Sequence, residues 1–238
     1  MSREEKKFFA LKVLGNFLVL FAIFGVVSTF GPALYFETQF RVIQARGITY
    51  KIADGDIAGI VNGKESNQPS FGDLLVGAKE QEIAPPNKDF SIVIPKIGAS
   101  SKVIANVNPA DDEEYHAALK EGVAHSQGTV FPGLPGNIYM FSHSTDNFWN
   151  TGRYNAIFYL LKDLEEGDEI AVFFQGERHN YYVTHTKVVD PSEVSFITQA
   201  NTGREQLILQ TCWPPGTTWK RLLVFASPRN TDVDFKTD

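Results

Sequence analysis

The sequence predicts a mainly β protein: a closed barrel of seven to eight strands with two or three short helices, preceded by an N-terminal transmembrane helix. Three observations predict it. Val13 to Phe36 is uncharged throughout; from Phe90 onward short apolar stretches are bounded by Gly, Pro and Asn; and only two later segments carry a helical pattern.

The uncharged run, "VLGNFLVLFAIFGVVSTFGPALYF", is 24 residues long. As a helix at about 1.5 Å per residue it outreaches a hydrocarbon core about 30 Å thick. Its apolar residues cover every face, whereas a core helix carries one stripe. A cleaved signal peptide is the alternative, but its apolar core spans only about 7 to 15 residues. Arg3, Lys6, Lys7 and Lys12 precede the run and Arg41, Arg46 and Lys51 follow it, so the positive-inside rule favours a cytoplasmic N-terminus only weakly.

Residues 37–89 are turn-rich, with "ADGD", "NGKESNQPS" and "APPNK" between short apolar pieces, and are expected to form a stalk with some local structure. From Phe90 the stretches "FSIVIPKI", "SKVIANV", "NIYMFS", "DEIAVFF", "HNYYVTHTKVV", "EQLILQTC" and "WKRLLVFA" read as strands. Helical patterns occupy "DDEEYHAALKEG", with acids in its first turn and Gly122 at its end, and "RYNAIFYLLKDLEEGD", ending near Gly167. Many short strands with few helices indicate a closed or nearly closed barrel. The expected division is an N-terminal end at 1–12, the span at 13–36, the stalk at 37–89, a barrel domain at 90–228 and a tail at 229–238.

Composition excludes several classes. With 43% hydrophobic residues, 21% charged residues and a net charge of -6, the chain buries a real core and lacks the basic surface a nucleic-acid binder needs. Its single cysteine, Cys212, leaves no internal disulfide framework and no thiolate cluster. No cofactor is expected. Asp111, Asp112, Glu113 and Glu114 offer oxygen ligands for calcium, but acids in a first helical turn are expected from the helix dipole.

Cys212 ends the apolar strand "EQLILQTC" and is followed at once by "WPPG", whose prolines cannot continue a ladder. A thiol at a strand end beside a loop reads as a nucleophile in preference to filler. An unperturbed thiol is only a few per cent thiolate at neutral pH, so a base or cation must stand nearby. Of five histidines, His116 reads as a solvated helix residue, His179 and His185 as sheet-face side chains, and His125 as a loop residue without clear role. His143 stands apart: it ends the apolar strand "NIYMFS" and shares the strand-end setting of Cys212, with catalysis and a hydrogen-bonded structural role both open. In "WKRLLVFA" both faces are largely apolar, so Arg221 is a guanidinium in need of a partner, either an anion in a site or an ordinary ion pair. Lys220, Arg204 and Arg229 are weaker competitors. Trp213 and Trp219 could line a groove or pack.

Together these residues resemble the sortase family of membrane-anchored cysteine transpeptidases. The family signature, Thr-Leu-x-Thr-Cys with an arginine on the next strand, here reads "ILQTC" followed by "WPPGTTWKR", with Ile208 replacing the first threonine and Leu209, Thr211, Cys212 and Arg221 matching. "FSIVIPKIG", "LKEGVAHSQGT", "FPGLPGNIYMFSHS" and "FYLLKDLEEGDEIAVFF" resemble successive family segments in order, so the likeness covers about Phe90 to Ala226. One N-terminal span without a second apolar segment before Asp238 is similar to the class A, D and E arrangement more than to pilin-polymerising class C. The family's lid motif, Asp-Pro-aromatic, is absent from the stalk.

The resemblance implies a sortase-like barrel outside the cell membrane, single-pass, with the N-terminus inside. It implies that Cys212 attacks a threonine-like carbonyl in a motif similar to Leu-Pro-x-Thr-Gly on exported proteins, forming a thioester. His143 would protonate the leaving amine and deprotonate the incoming one, a cell-wall precursor or protein amine, while Arg221, helped by the Thr211 backbone, stabilises the oxyanion. The loop "DPSEVSFITQANTGREQ" would face substrate through Val194, Phe196 and Ile197, with Trp213 also expected to touch it. Two alternatives accompany this expectation: an endopeptidase using water as acceptor, and a non-catalytic membrane-anchored barrel that binds peptides.

Overall fold

The computed structural model describes residues 3–53, 80–144, 157–215 and 217–229. The middle of the expected stalk, the start of the second helical pattern, the turn following Ser144 and the end of the expected tail lie outside the described residues.

Helix α1 (Arg3–Ala45) contains the apolar run and continues past it. Its portion Arg3–Ser28 is long and apolar enough to cross a membrane, and none of it is buried within the chain. Beyond the run the same helix docks on the protein. Phe40 is 3% exposed and belongs to the main core cluster. Lys162 bonds both Glu37 (2.9 Å) and Asp163 (2.6 Å), and Arg41 lies 4.0 Å from Asp163. Strands β1 (Thr49–Ile52) and β2 (Glu80–Ile83) then pair in parallel, and Ile52 and Ile83 pack with Val93, Ala171 and Phe173 on the outside of the barrel. The segment expected as a stalk is thus partly packed against the barrel.

The barrel comprises β3 (Phe90–Ile94), β4 (Ala99–Val107), β5 (Val123–Ser126), β6 (Gly136–Phe141), β7 (Glu169–Phe174), β8 (Glu177–Val189), β9 (Glu205–Trp213) and β10 (Lys220–Pro228). It closes in the order β10-β8-β7-β3-β4-β5-β6-β9, eight strands, at the upper end of the expected number. Closure removes the exposed edges that a short-stranded sheet otherwise presents. Two pairs are parallel, β4 with β5 and β6 with β9. Parallel neighbours need a crossover, and α2 (Asp112–Glu121) supplies the first one. Its start follows from sequence: Asp111 Oδ1 accepts from the Glu113 and Glu114 backbone N–H groups at 3.0 Å each, spending that carboxylate on the helix cap. The second helical pattern is a short 3-10 helix over Tyr159–Asp163 among the described residues.

Alternation along the strands creates two apolar layers. Ile138, Met140, Leu207, Leu209, Leu222 and Val224 fill the barrel interior. Tyr139, Phe141, Ile208, Leu223 and Phe225 face outward and form a second layer beneath α2 and the β8–β9 loop. Central strands apolar on both faces are what two covered layers require. The doubly apolar reading of "WKRLLVFA" fits this: Leu222 through Ala226 are all buried.

His125 corrects the sequence reading. It is a fully buried member of β5, not a loop residue. Its Nε2 lies 3.0 Å from the Val130 carbonyl and its Nδ1 accepts from the Asn106 N–H at 3.4 Å, while its ring stacks on Phe131 at 4.7 Å. Burial pushes its pKa down, and the Val130 hydrogen bond opposes that shift.

Candidate active site

The outward layer carries the site at one end. In the antiparallel β9–β10 pair, Cys212 stands directly opposite Arg221. Directly opposed residues share a face, with Cβ atoms about 4.5–5.5 Å apart. Both fall in the alternation that includes Ile208, Leu223 and Phe225, so both project from the outer layer rather than into the barrel. Each is half-buried.

His143 reaches the same level from the other side of β9. Phe141 is registered with Gln210 in the parallel β6–β9 pair. The alignment persists one step further: Ser142 N–H donates to the Gln210 carbonyl at 3.2 Å, and Thr211 Oγ1 donates to the Ser142 carbonyl at 3.3 Å. Counting on from Ser142 and Thr211, His143 is level with Cys212. The His143 ring meets the edge of Tyr115 at 6.4 Å and lies nearly parallel to the His116 ring at 6.4 Å. Helix α2 therefore overhangs this end, and His116, which its sequence setting describes as simply solvated, sits beside His143. The charges of Cys212 and Arg221 both act on the Tyr115 phenol, which places that ring within electrostatic reach of both.

Arg221 shows how its guanidinium is oriented. Nη1 donates to the Thr218 and Lys220 carbonyls at 3.1 Å each. Nε and Nη2 make no hydrogen bond among the described residues. The competing cations have other partners or positions: Lys220 pairs with Asp190 at 2.6 Å, and Arg229 lies over the Tyr182 ring at 4.8 Å. Tyr139, in the layer below, donates its hydroxyl to Gln210 Oε1 at 2.7 Å, and its burial pushes its pKa well up.

The remaining expected residues divide. Phe196 and Ile197 pack against the outer layer, Phe196 edge-on to Phe225 at 5.3 Å with Lys187 Nζ 5.8 Å above its ring. Asn137 holds this loop down: its Nδ2 donates to the Phe196 carbonyl at 3.1 Å and its N–H to the Ala200 carbonyl at 2.6 Å. Ile208, Leu223 and Phe225 are thereby buried beneath α2 and the short helix α3 (Ser195–Thr198), in the alternation that Cys212 continues. Val194 is 49% exposed at the start of α3. Thr211 is buried on the opposite face from Cys212, its hydroxyl spent on β6, so only its main chain is left to face the site. Trp213 shares that opposite alternation and packs with the barrel-interior cluster. Trp219 is 73% exposed.

Residues 92–229 match the family model described as the Sortase domain. The chain belongs to the sortase family. Sortase D of Bacillus subtilis (strain 168) is 30% identical over 135 residues, covering 56% of this chain and 59% of that protein. The match thus spans about three fifths of this curated relative's length. Among solved structures, sortase C1 of GBS pilus island 1 aligns with 86% of this chain and 88% of its own at 17% identity and a TM-score of 0.50, a likeness of fold. A Clostridium perfringens sortase D5 transpeptidase covers 60% of this chain and 80% of its own at 23% identity and a TM-score of 0.48. The eight-stranded barrel and its apolar N-terminal helix are the parts of the family reading that the chain displays directly.

Proposed function

We propose that this sortase-family protein is a cell-surface cysteine transpeptidase acting on a motif similar to Leu-Pro-x-Thr-Gly. The observation that carries the reading is the β9–β10 register, which sets the only thiol of the chain opposite a guanidinium with two uncommitted donors. The level position of His143 supplies the third group.

In this mechanism the Cys212 sulfur attacks the carbonyl of the motif's threonine-like residue. The C–N bond breaks, His143 delivers a proton to the departing amine, and a thioester remains on Cys212. Arg221 donates from Nε and Nη2 to the oxygen that becomes negative in the tetrahedral intermediate, while its fixed Nη1 keeps the plane from turning away. The Thr211 main chain assists there. An incoming amine then loses its proton to His143 and attacks the thioester, forming a new amide and freeing the thiolate. The half-buried Phe196 and Ile197 and the exposed Val194 of the β8–β9 loop are the side chains proposed to meet the leucine and proline of such a motif. Trp213, half-buried against the barrel-interior cluster, supports the strand end that carries Cys212.

Substrates on this reading are exported proteins, and acceptors are amines of the cell wall or of proteins. Such work requires the barrel outside the membrane and the residues before Val13 inside, with α1 as a single-pass anchor. The test incubates the full chain in detergent micelles with motif peptides and amine acceptors. Ligated peptide supports transpeptidation, hydrolysed peptide alone indicates an endopeptidase, and unchanged peptide leaves a binding barrel.

A further inference from the structure

No sequence motif singles out Tyr115, yet its ring meets His143 and its phenol lies within electrostatic reach of both Cys212 and Arg221. Its ring stacks on Phe141 with centroids 5.2 Å apart and planes 10° apart, and meets His143 edge-on at 6.4 Å. A flat stack on a buried phenylalanine fixes the direction of the phenol. Two tyrosines, Tyr115 and Tyr139, feel the Arg221 charge. Their hydroxyls differ in one respect: Tyr139 spends its donor on Gln210, whereas the Tyr115 hydroxyl makes no hydrogen bond among the described residues.

Burial pushes the Tyr115 pKa up, the Cys212 charge adds to the shift, and Arg221 opposes it. The phenol therefore keeps its proton, and remains a donor, through neutral and mildly alkaline pH.

We propose that the Tyr115 hydroxyl donates a hydrogen bond to the acyl carbonyl oxygen of the sorting-motif peptide as that oxygen becomes negative, sharing the oxyanion with Arg221. This deepens the transpeptidase reading and rests on it. A tetrahedral oxyanion accepts more than one donor, and a donor already held by stacking needs no reorganisation as charge develops. Tyr115 would then be a catalytic residue contributed by a helix, complementing the two strand-borne groups.

The test is Tyr115→Phe in the full chain in micelles, which keeps the ring and its stack and deletes only the donor. Four readouts are needed: kcat and KM for a motif peptide, the rate of Cys212 alkylation by iodoacetamide, and the thermal midpoint. The expected result is a kcat reduced about 10- to 100-fold with KM changed less than about threefold, since the lost bond strengthens only in the transition state. Alkylation and the thermal midpoint should match the parent. A kcat within about twofold of the parent overturns the role, as does a loss of kcat mirrored by equal losses in alkylation or stability. A parent that cleaves no motif peptide overturns the transpeptidase reading itself, and the Tyr115 role with it.

Discussion

Replacing Arg221 by lysine keeps the charge and discards the shape, and the structure indicates what the shape is worth. Nη1 is held by two backbone carbonyls at 3.1 Å each, and Nε and Nη2, which make no hydrogen bond among the described residues, are the proposed oxyanion donors. A lysine has one nitrogen, which cannot sit against the Thr218 and Lys220 carbonyls and at the oxyanion position together. Losing an oxyanion donor costs about 10²- to 10³-fold in kcat, or about 3–4 kcal/mol of transition-state stabilisation. Arg221→Lys should therefore lower kcat by that factor while KM changes less than about threefold. Stability should hardly move, because the residue is half-buried at a strand end and its charge is retained; a change below about 1 kcal/mol is expected. Steady-state cleavage of a motif peptide by the full chain, with a parallel thermal melt, provides the numbers. Turnover within threefold of the parent would show that charge alone suffices and that the fork geometry is irrelevant.

Two further outcomes concern the scaffold. Phe40→Ala should destabilise the full chain in micelles by about 3–5 kcal/mol, the range for emptying a buried phenylalanine site, because this residue of α1 is buried in the main core cluster; an unchanged thermal midpoint would mean that the end of the helix is not docked. His125 sets a pH dependence. Its native pKa is depressed by burial, so between the unfolded value near about 6.5 and the lower native value only the unfolded chain binds the proton, and stability falls as pH falls through that window. The loss amounts to at most about 1.4 kcal/mol per pH unit, and protonated Nδ1 would also confront the Asn106 N–H that it now accepts. Melting the parent and His125→Gln at pH 7 and pH 5.5 should show a smaller drop in the variant; equal drops would remove His125 as the cause.

The parts of the fold that local chemistry dictates were legible in the sequence. The uncharged run, the acid-rich start of α2 and the doubly apolar strand around Arg221 each follow from residues near one another in the chain. Cys212 and Arg221 could be brought together because one short turn joins their strands. His143 was harder to place, because its level with Cys212 depends on the parallel pairing of β6 with β9, strands about seventy residues apart whose register no local pattern specifies. His125 was misread for a related reason: β5 is four residues long and buried on both faces, leaving no alternation to betray a strand. Two further signals lie in the sequence. Alternation through "QTCW" already separates Trp213 from Cys212, and Tyr115, Ala118 and Leu119 at helical spacing mark the face of α2 that turns toward the site.

The most direct test of the central claim is intact-mass spectrometry of the full chain quenched in acid during turnover of a motif peptide. The account predicts an adduct equal to the acyl half of the peptide, mapped to Cys212, released by hydroxylamine and absent from Cys212→Ala. Cleavage by Cys212→Ala at the parent's rate, or an acyl adduct on any other residue, would contradict it.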